Sequence, residues 1–196
     1  LTDYPQSEEK STVVLHCGAK WWKIPQPTVE DRSAMLFTGK SEHTIDGKFR
    51  LAIPSKHRFW GEGQPPAWYC IPITDGPLRL YTEDHFNKLG EQGGDSLTPD
   101  ESVAEFETTF FSSAERVELD ASGRLLVPKW HVQRAGLTTR NPSGGLDVVL
   151  VGARTRLEIW DKTRWDATED ERHKRLPGLM QRIEANKKAA PTNPSH

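Results

Sequence analysis

One eleven-residue device is written twice in this chain, as "TIDGKFRLAIP" at residues 44–54 and as "ELDASGRLLVP" at residues 118–128. Asp46 and Asp120, Arg50 and Arg124, and Pro54 and Pro128 hold the same places, 74 positions apart. An internal repeat of this size means that the fold is built from two similar units, and it is the first constraint any topology must satisfy. At 196 residues the chain is long enough to bury a core shared by both copies.

The repeat extends past the device. "SKHRFW", a loop, "AWYCIPI", an Asp-Gly-Pro turn and "LRLYTEDHF" follow the first copy; "KWHVQRAGL", a loop, "DVVLVGA", a tight connection and "LEIWDKTRW" follow the second. Each half reads as strand, turn, strand, short helix, strand, turn, strand and helix start, from short β-branched and aromatic runs separated by breakers. Between the halves, Thr98 stands three residues before Glu101 with Pro99 between them. That pattern predicts a capping box and a connecting helix with Val103, Phe106 and Phe110 on one face.

The tail from Asp161 to Asn186 is rich in Glu, Lys, Arg and Leu and leans to helix, with Pro177-Gly178 expected to break or bend it; "AAPTNPSH" reads as a disordered end. The expected organisation is therefore an N-terminal extension at 1–34, a first repeat at 35–94, a connecting helix at 95–114, a second repeat at 115–168 and a C-terminal helix and tail at 169–196. "VVLHCGAKWWKIP" in the extension could form a strand. The extension is either part of the native chain or a non-native stretch upstream of a start at Met35.

Charged residues make up 28% of the chain and no apolar run approaches a membrane span, so a cytoplasmic protein is expected. Cys17 and Cys70 have no nearby metal-ligand partners at finger or redox spacing and read as buried or incidental thiols. The net charge is -2, unevenly spread. Both copies of the device lie in segments of net +2, while residues 81–109 carry eight acids against Lys88 alone.

In the device the aspartate can accept backbone N–H bonds from the turn, and the arginine opens the next strand within reach of that carboxylate. Gly123 can take a positive φ. Phe49 stands in its place in the first copy, so the first turn is expected to differ, with Asp46-Gly47 supplying the positive φ and Phe49 tucked under the hairpin. The aspartates read as turn-shaping groups. The arginines are open to two roles, clamping the hairpin or recognising phosphate and guanine.

"MLFTGKSEHTIDGKFRLAIPSKHR", "DASGRLLVP" and "VVLVGARTRLEIWDKTRW" together resemble the MraZ family over residues 35–168 in continuous order, including both D-x-x-x-R motifs. The resemblance implies a mainly β chain with short helices (α+β), two AbrB/MraZ-like swapped-hairpin repeats forming one pseudo-twofold barrel, and a C-terminal helix. It further implies a transcriptional regulator that assembles into homo-oligomeric rings and binds repeated boxes of double-stranded promoter DNA upstream of the division and cell-wall gene cluster. Its DNA-facing residues would be Lys48, Arg50 and Arg124, with Asp46, Asp120, Gly47 and Gly123 shaping the turns. Ser122 stands where the first copy has Lys48, so the first motif is expected to carry more of the affinity.

An enzyme would need a converging nucleophile, base and orienter, or a ligand cluster. The sequence offers no Gly-flanked serine and no His-x-x-x-His, and no cofactor, metal, membrane or small-molecule substrate is expected. His43, His57, His85 and His131 read as ordinary surface or half-buried residues. Trp130, Trp160 and Trp165 read as core rather than as a stacking platform. The alternative class is an AbrB-fold antitoxin-like or other protein-interaction module without operator binding. Duplication of the unit within one chain favours the regulator.

Overall fold

The computed structural model describes residues 14–17, 20–23, 36–58, 67–91 and 100–189. The chain divides into two compact units, Leu1–Met35 and Leu36–His196. In the first, β1 (Val14–Cys17) and β2 (Lys20–Lys23) form an antiparallel hairpin with Val14 opposite Lys23. A strand within "VVLHCGAKWWKIP" is therefore present. Residues 1–13 and 24–35, the residues expected to cap the connecting helix at 98–99, and the tail at 190–196 lie outside the described residues.

The second unit is an eight-stranded sheet with helices set on it. Its strands are β3 (Lys40–Ile45), β4 (Arg50–Ala52), β5 (Trp68–Pro72), β6 (Leu78–Thr82), β7 (Glu115–Val117), β8 (Arg124–Leu126), β9 (Leu146–Gly152) and β10 (Arg156–Asp161). The order across the sheet is β7-β5-β6-β10-β9-β3-β4-β8, antiparallel throughout. The two end strands belong to one hairpin, and a bridge between Leu119 and Leu125 ties them, so the sheet is nearly closed into a barrel. Closure leaves few edges on which another chain could pair.

The two halves are interleaved. β3 of the first half pairs with β9 of the second, β7 of the second pairs with β5 of the first, and β4 pairs with β8 as β6 pairs with β10. The last two pairings are self-symmetric. Leu51 faces Leu125, each the other's counterpart in the repeat, and Arg79 faces Glu158. A pseudo-twofold axis therefore runs between these strands. Neither hairpin pair could close a barrel by itself, because each half has four short strands and finds its neighbours in the other half.

Alternation explains which residues are inside. Leu51 and Leu125 are fully buried, whereas Ala52 and Leu126 beside them face out. Ile45, Ile53, Trp68, Cys70, Leu78, Leu80, Val127, Val148, Leu150, Leu157 and Ile159 are among the other residues of the core. Burial raises the Cys70 thiol far above its usual range, which makes it an inert core group. Glu158 is also buried, and its carboxylate is held by Arg156 Nε and Nη2 at 2.8 Å and by Trp160 Nε1 at 3.1 Å.

The helices depart from the sequence expectation in detail. α1 (Glu83–Glu91) and α2 (Glu101–Ser112) pack on the barrel through Phe86, Leu89 and Phe110, with Ala114 just beyond α2, around Ile71 and Tyr81. The N-cap of α2 is Asp100, whose carboxylate accepts from Ser102 N at 2.9 Å, so the helix starts two residues later than a cap at Thr98 would place it. Aspartate is among the strongest N-caps, and its short side chain reaches the free N–H directly. α3 (Lys129–Arg134) buries His131 and Val132 and leaves Trp130 exposed. The core assignment of Trp130 is thus overturned, because a helix of six residues has one inner face and its neighbours occupy it.

α4 (Lys162–Ala189) runs on through Pro177 without a break. Residues 173–186 are exposed, so the carbonyl that Pro177 leaves without a donor can be met by water. Its first turns are tied down strongly. Buried Asp161 accepts from Thr138 N, Thr139 N and Thr139 Oγ1, each at 2.8 Å, and Arg164 donates to the carbonyls of Gly76, Ala135 and Gly136. Trp160 and Trp165 meet edge to face, and the Arg172 guanidinium lies 4.5 and 4.3 Å from their ring centroids.

If the core is shared, neither half should fold alone. Separately expressed halves are expected to be unfolded or aggregated by circular dichroism and light scattering. Leu51→Ala and Leu125→Ala should each lower the stability of the whole chain by about 2–5 kcal/mol in urea unfolding.

Candidate functional site

Each D-x-x-x-R device is a closed turn in which one aspartate satisfies several donors. Asp46 Oδ1 accepts from Lys48 N at 2.8 Å and Arg50 N at 2.9 Å, and Oδ2 accepts from Arg50 Nε at 2.8 Å. Asp120 repeats the set, accepting from Ser122 N at 2.8 Å, Arg124 N at 2.9 Å and Arg124 Nε at 2.9 Å. The backbone closes both turns alike, with Asp46 N bonded to Arg50 O and Asp120 N to Arg124 O.

The expectation of a different first turn is corrected here. Phe49 takes φ +61°, matching the +73° of Gly123, and Gly47 is not among the positive-φ residues. Five hydrogen bonds at Asp46, one of them donated by Phe49 N to Asp46 O at 2.9 Å, hold Phe49 in a region that costs a non-glycine residue about 1 kcal/mol. The Phe49 side chain is half-buried rather than fully tucked under the hairpin.

Strand exchange sets the two turns at opposite ends of the β4–β8 ribbon. Ile53 N donates to Gly123 O at 3.1 Å and Val127 N to Phe49 O at 2.8 Å, so each half's strand is laced to the other half's turn. On the outer face Arg50 stands opposite Leu126 and Ala52 opposite Arg124. The two motif arginines are therefore diagonal neighbours across the pseudo-twofold axis, about 7–8 Å apart at their Cα atoms. The ribbon between the turns spans about 13 Å at roughly 3.3 Å per residue.

Both arginines are half-buried and spend part of their guanidinium on their own aspartate. Arg50 adds an Nη2 contact to Asp46 Oδ2 at 2.7 Å. Lys48 is exposed at the tip of the first turn and, among the described residues, is in no ion pair.

Arg58 is the residue the sequence reading passed over. It leaves the first half and lies across the second half's turn, so close that a Cβ added to Gly123 would stand 2.1 Å from Arg58 Nη1. Arg58 has no carboxylate partner among the described residues, and its Nε is buried without a hydrogen-bond acceptor. Its counterpart 74 residues on is Val132, a core residue. The first turn thus has a cation of its own in Lys48. The second, with Ser122 there, receives one from the other half. Repeat symmetry could not reveal this, because the substitution breaks it; the signal in the sequence was only a third base six residues after the arginine of the first motif's strand, Lys56, with Arg58 two beyond.

The histidines are corrected as well. His57 and His131, equivalent in the repeat, are both buried. Burial pulls both below the ordinary imidazole pKa, so each is a neutral core group at physiological pH. His57 packs on Phe37 with ring centroids 5.7 Å apart, and His131 Nε2 lies 3.0 Å from Cys70 O and 3.1 Å from Ser113 O. Among the described residues no group of three or more His, Cys, Asp or Glu is placed to hold a metal, and no helix is long and apolar enough to cross a membrane.

The donors at the turn give a pH signature. The backbone N–H of Arg50, then its guanidinium, hold the Asp46 carboxyl at about 2, and the backbone N–H of Arg124 is the largest cause of the lowering at Asp120. A folded-state pKa below the unfolded value stabilises the fold above the unfolded value, and that stabilisation is lost as pH falls through the folded one. The melting temperature should therefore drop between about pH 4 and pH 2, and less steeply in Asp46→Asn, by scanning calorimetry. Gly123→Ala should melt lower than the parent at neutral pH, because it combines a disfavoured φ with the Arg58 contact.

Comparison with known proteins agrees with this architecture. The family model described as "MraZ protein, putative antitoxin-like" matches residues 110–177. The chain is 33% identical over 132 residues to the transcriptional regulator MraZ of Acetivibrio thermocellus, covering 67% of this chain and 85% of that protein. It is 33% identical over 130 residues to that of Heliobacterium modesticaldum, covering 66% and 84%, and 30% identical over 148 residues to that of Ligilactobacillus salivarius, covering 76% and 96%. With the duplicated D-x-x-x-R turns and the interleaved barrel that they close, these likenesses show that the chain belongs to the MraZ family.

Proposed function

We propose that this protein is a transcriptional regulator that binds double-stranded promoter DNA through the outer face of the β4–β8 ribbon and its two turns. The observation that carries the reading is the gathering of four cations at this ribbon and its turns: Lys48 at the tip of one turn, Arg50 and Arg124 on the outer face, and Arg58 against the other turn. A two-stranded ribbon fits the major groove, which is about 12 Å wide. The flanking cations then reach phosphates while the central pair faces base edges or backbone. Relatives carrying the name transcriptional regulator support the same reading.

Each motif arginine is preorganised by its aspartate, so it loses less freedom on contact than a base on a mobile loop. The site is small, and one copy gives few contacts. Repeated promoter boxes, engaged by linked copies in a homo-oligomeric ring, would raise the effective concentration of each further contact. Boxes upstream of the division and cell-wall gene cluster are the targets that family membership suggests. Arg58 also alters the balance expected from sequence: with a cation at each turn, the two motifs should contribute comparably.

A fluorescence titration with the duplex upstream of the protein's own gene, against a shuffled duplex, tests this. Arg50→Ala and Arg124→Ala should each weaken binding by on the order of 1–3 kcal/mol per contact. Lys48→Ala and Arg58→Ala should each weaken it across sequences and reduce the slope of log K against log salt by about one unit. Asp46→Ala and Asp120→Ala should act chiefly on melting temperature. Equal affinity of the parent for both duplexes, or arginine variants that melt lower yet bind like the parent, would overturn the assignment.

A further inference from the structure

We infer that Leu126 is a specificity-determining residue of the β4–β8 ribbon and packs against the 5-methyl group of a thymine in the major groove. This rests on the DNA reading above and adds to it a contact that carries sequence information. Four residues of β4 and β8 face outward: Arg50, Ala52, Arg124 and Leu126. Leu126 is 60% exposed, whereas Leu51 and Leu125 in the same ribbon are fully buried. A single exposed leucine is ordinary on a protein surface. This one stands directly opposite Arg50, so the two side chains leave the sheet side by side, with Cβ atoms about 4.5–5.5 Å apart.

The repeat isolates the residue further. Arg50 and Arg124 are matched across the two copies, but the counterpart of Leu126 is Ala52. Only Leu126 projects beyond its Cβ, so one of the two equivalent places offers branched apolar surface and the other does not. The pseudo-twofold core needs no such difference, because both side chains lie outside it.

Charge decides which part of a duplex can meet that surface. Val127 N donates to Phe49 O at 2.8 Å, which sets Leu126 beside the first turn and its exposed Lys48. On its other flank, Glu115 and Glu118 line a shallow groove with Val117, Leu126 and Pro128, and Arg116 there is paired with Glu118 and Glu83. A phosphate over Leu126 would meet apolar surface and two carboxylates, and would lose hydration without gaining a donor. A methyl group loses nothing there. In the major groove the thymine C5-methyl is the apolar group on display, and it shares that groove with the guanine edge that arginine reads. Arg50 and Leu126 together therefore suit a polar base edge or phosphate beside a methyl. Burying one methyl against Leu126 corresponds to about a fourfold change in affinity.

Deoxyuridine in place of thymidine removes this methyl and keeps every hydrogen-bonding group, so it isolates the contact. The full chain is titrated by fluorescence with the duplex upstream of its own gene, with the same duplex carrying deoxyuridine for thymidine, and with a shuffled duplex. The parent should bind the deoxyuridine form about fourfold more weakly per engaged contact. Leu126→Ala, at an exposed position, should melt within a few degrees of the parent and bind both forms alike, while Leu126→Met should keep the preference. A parent that prefers its own duplex to the shuffled one yet binds both forms equally, or a Leu126→Ala variant that retains the parent's ratio, would overturn this contact and leave the DNA reading standing. A parent with no preference for its own duplex over the shuffled one would overturn the DNA reading and this contact with it.

Discussion

The antiparallel pairing of β4 with β8 is the contact on which the rest depends. It is three residues long on each side, centred on Leu51 against Leu125. Those leucines are buried where the two halves meet, so the hydrophobic driving force there belongs to neither half alone. The same pairing lays Arg50 and Arg124 on one outer face and sends each strand's next N–H to the turn of the other half. Core and candidate interface are two faces of one ribbon, related by the alternation of side chains along a strand.

Away from that ribbon, the buried acids are each met by several donors. Glu158 is surrounded by Arg156, Arg79 and the Trp160 indole at the second self-symmetric pairing, and Asp161 is met by three donors from the Thr138-Thr139 segment. His57 and His131 remain neutral, which removes the cost of burying a cation. Lys48 and Arg58, one at each turn, are among the cations left without a carboxylate partner among the described residues. An interface for a polyanion needs that separation between compensated interior charge and uncompensated surface charge.

The helices divide the labour in a similar way. α1 and the inner side of α2 cover the barrel through Phe86 and Phe110, while α4 begins as a strut fixed by Asp161 and Arg164 and ends as a projecting arm. Each half ends in a helix at the same place in the repeat, yet the second is far longer, 28 residues against nine. Duplication has thus been followed by divergence at the periphery, with the shared ribbon kept symmetric.

The sequence alone determined what depends on local pattern. The 74-residue repeat, the alternation in "LRLY" and "LEIW", and the aspartate four residues before an arginine specify two equivalent sets of strands and two equivalent turns, because strand periodicity and Asx-type hydrogen bonding are short-range. It also gave away the resemblance on which the family assignment converged. Tertiary structure decided whatever depends on the exchange of strands. Phe49 in place of a glycine reads as the mark of a different first turn, and it is instead held at positive φ by the bonds that close the turn on Asp46. Trp130 reads as core and is turned outward because His131 and Val132 take the inner face of a short helix. Arg58 carries no role in the repeat pattern and comes to rest on the other half's Gly123. In each case the deciding partner comes from a competing contact that local pattern does not encode: the bonds closing a turn, the space left on an inner face, or a chain segment about 65 residues away brought near by burial of the shared leucines.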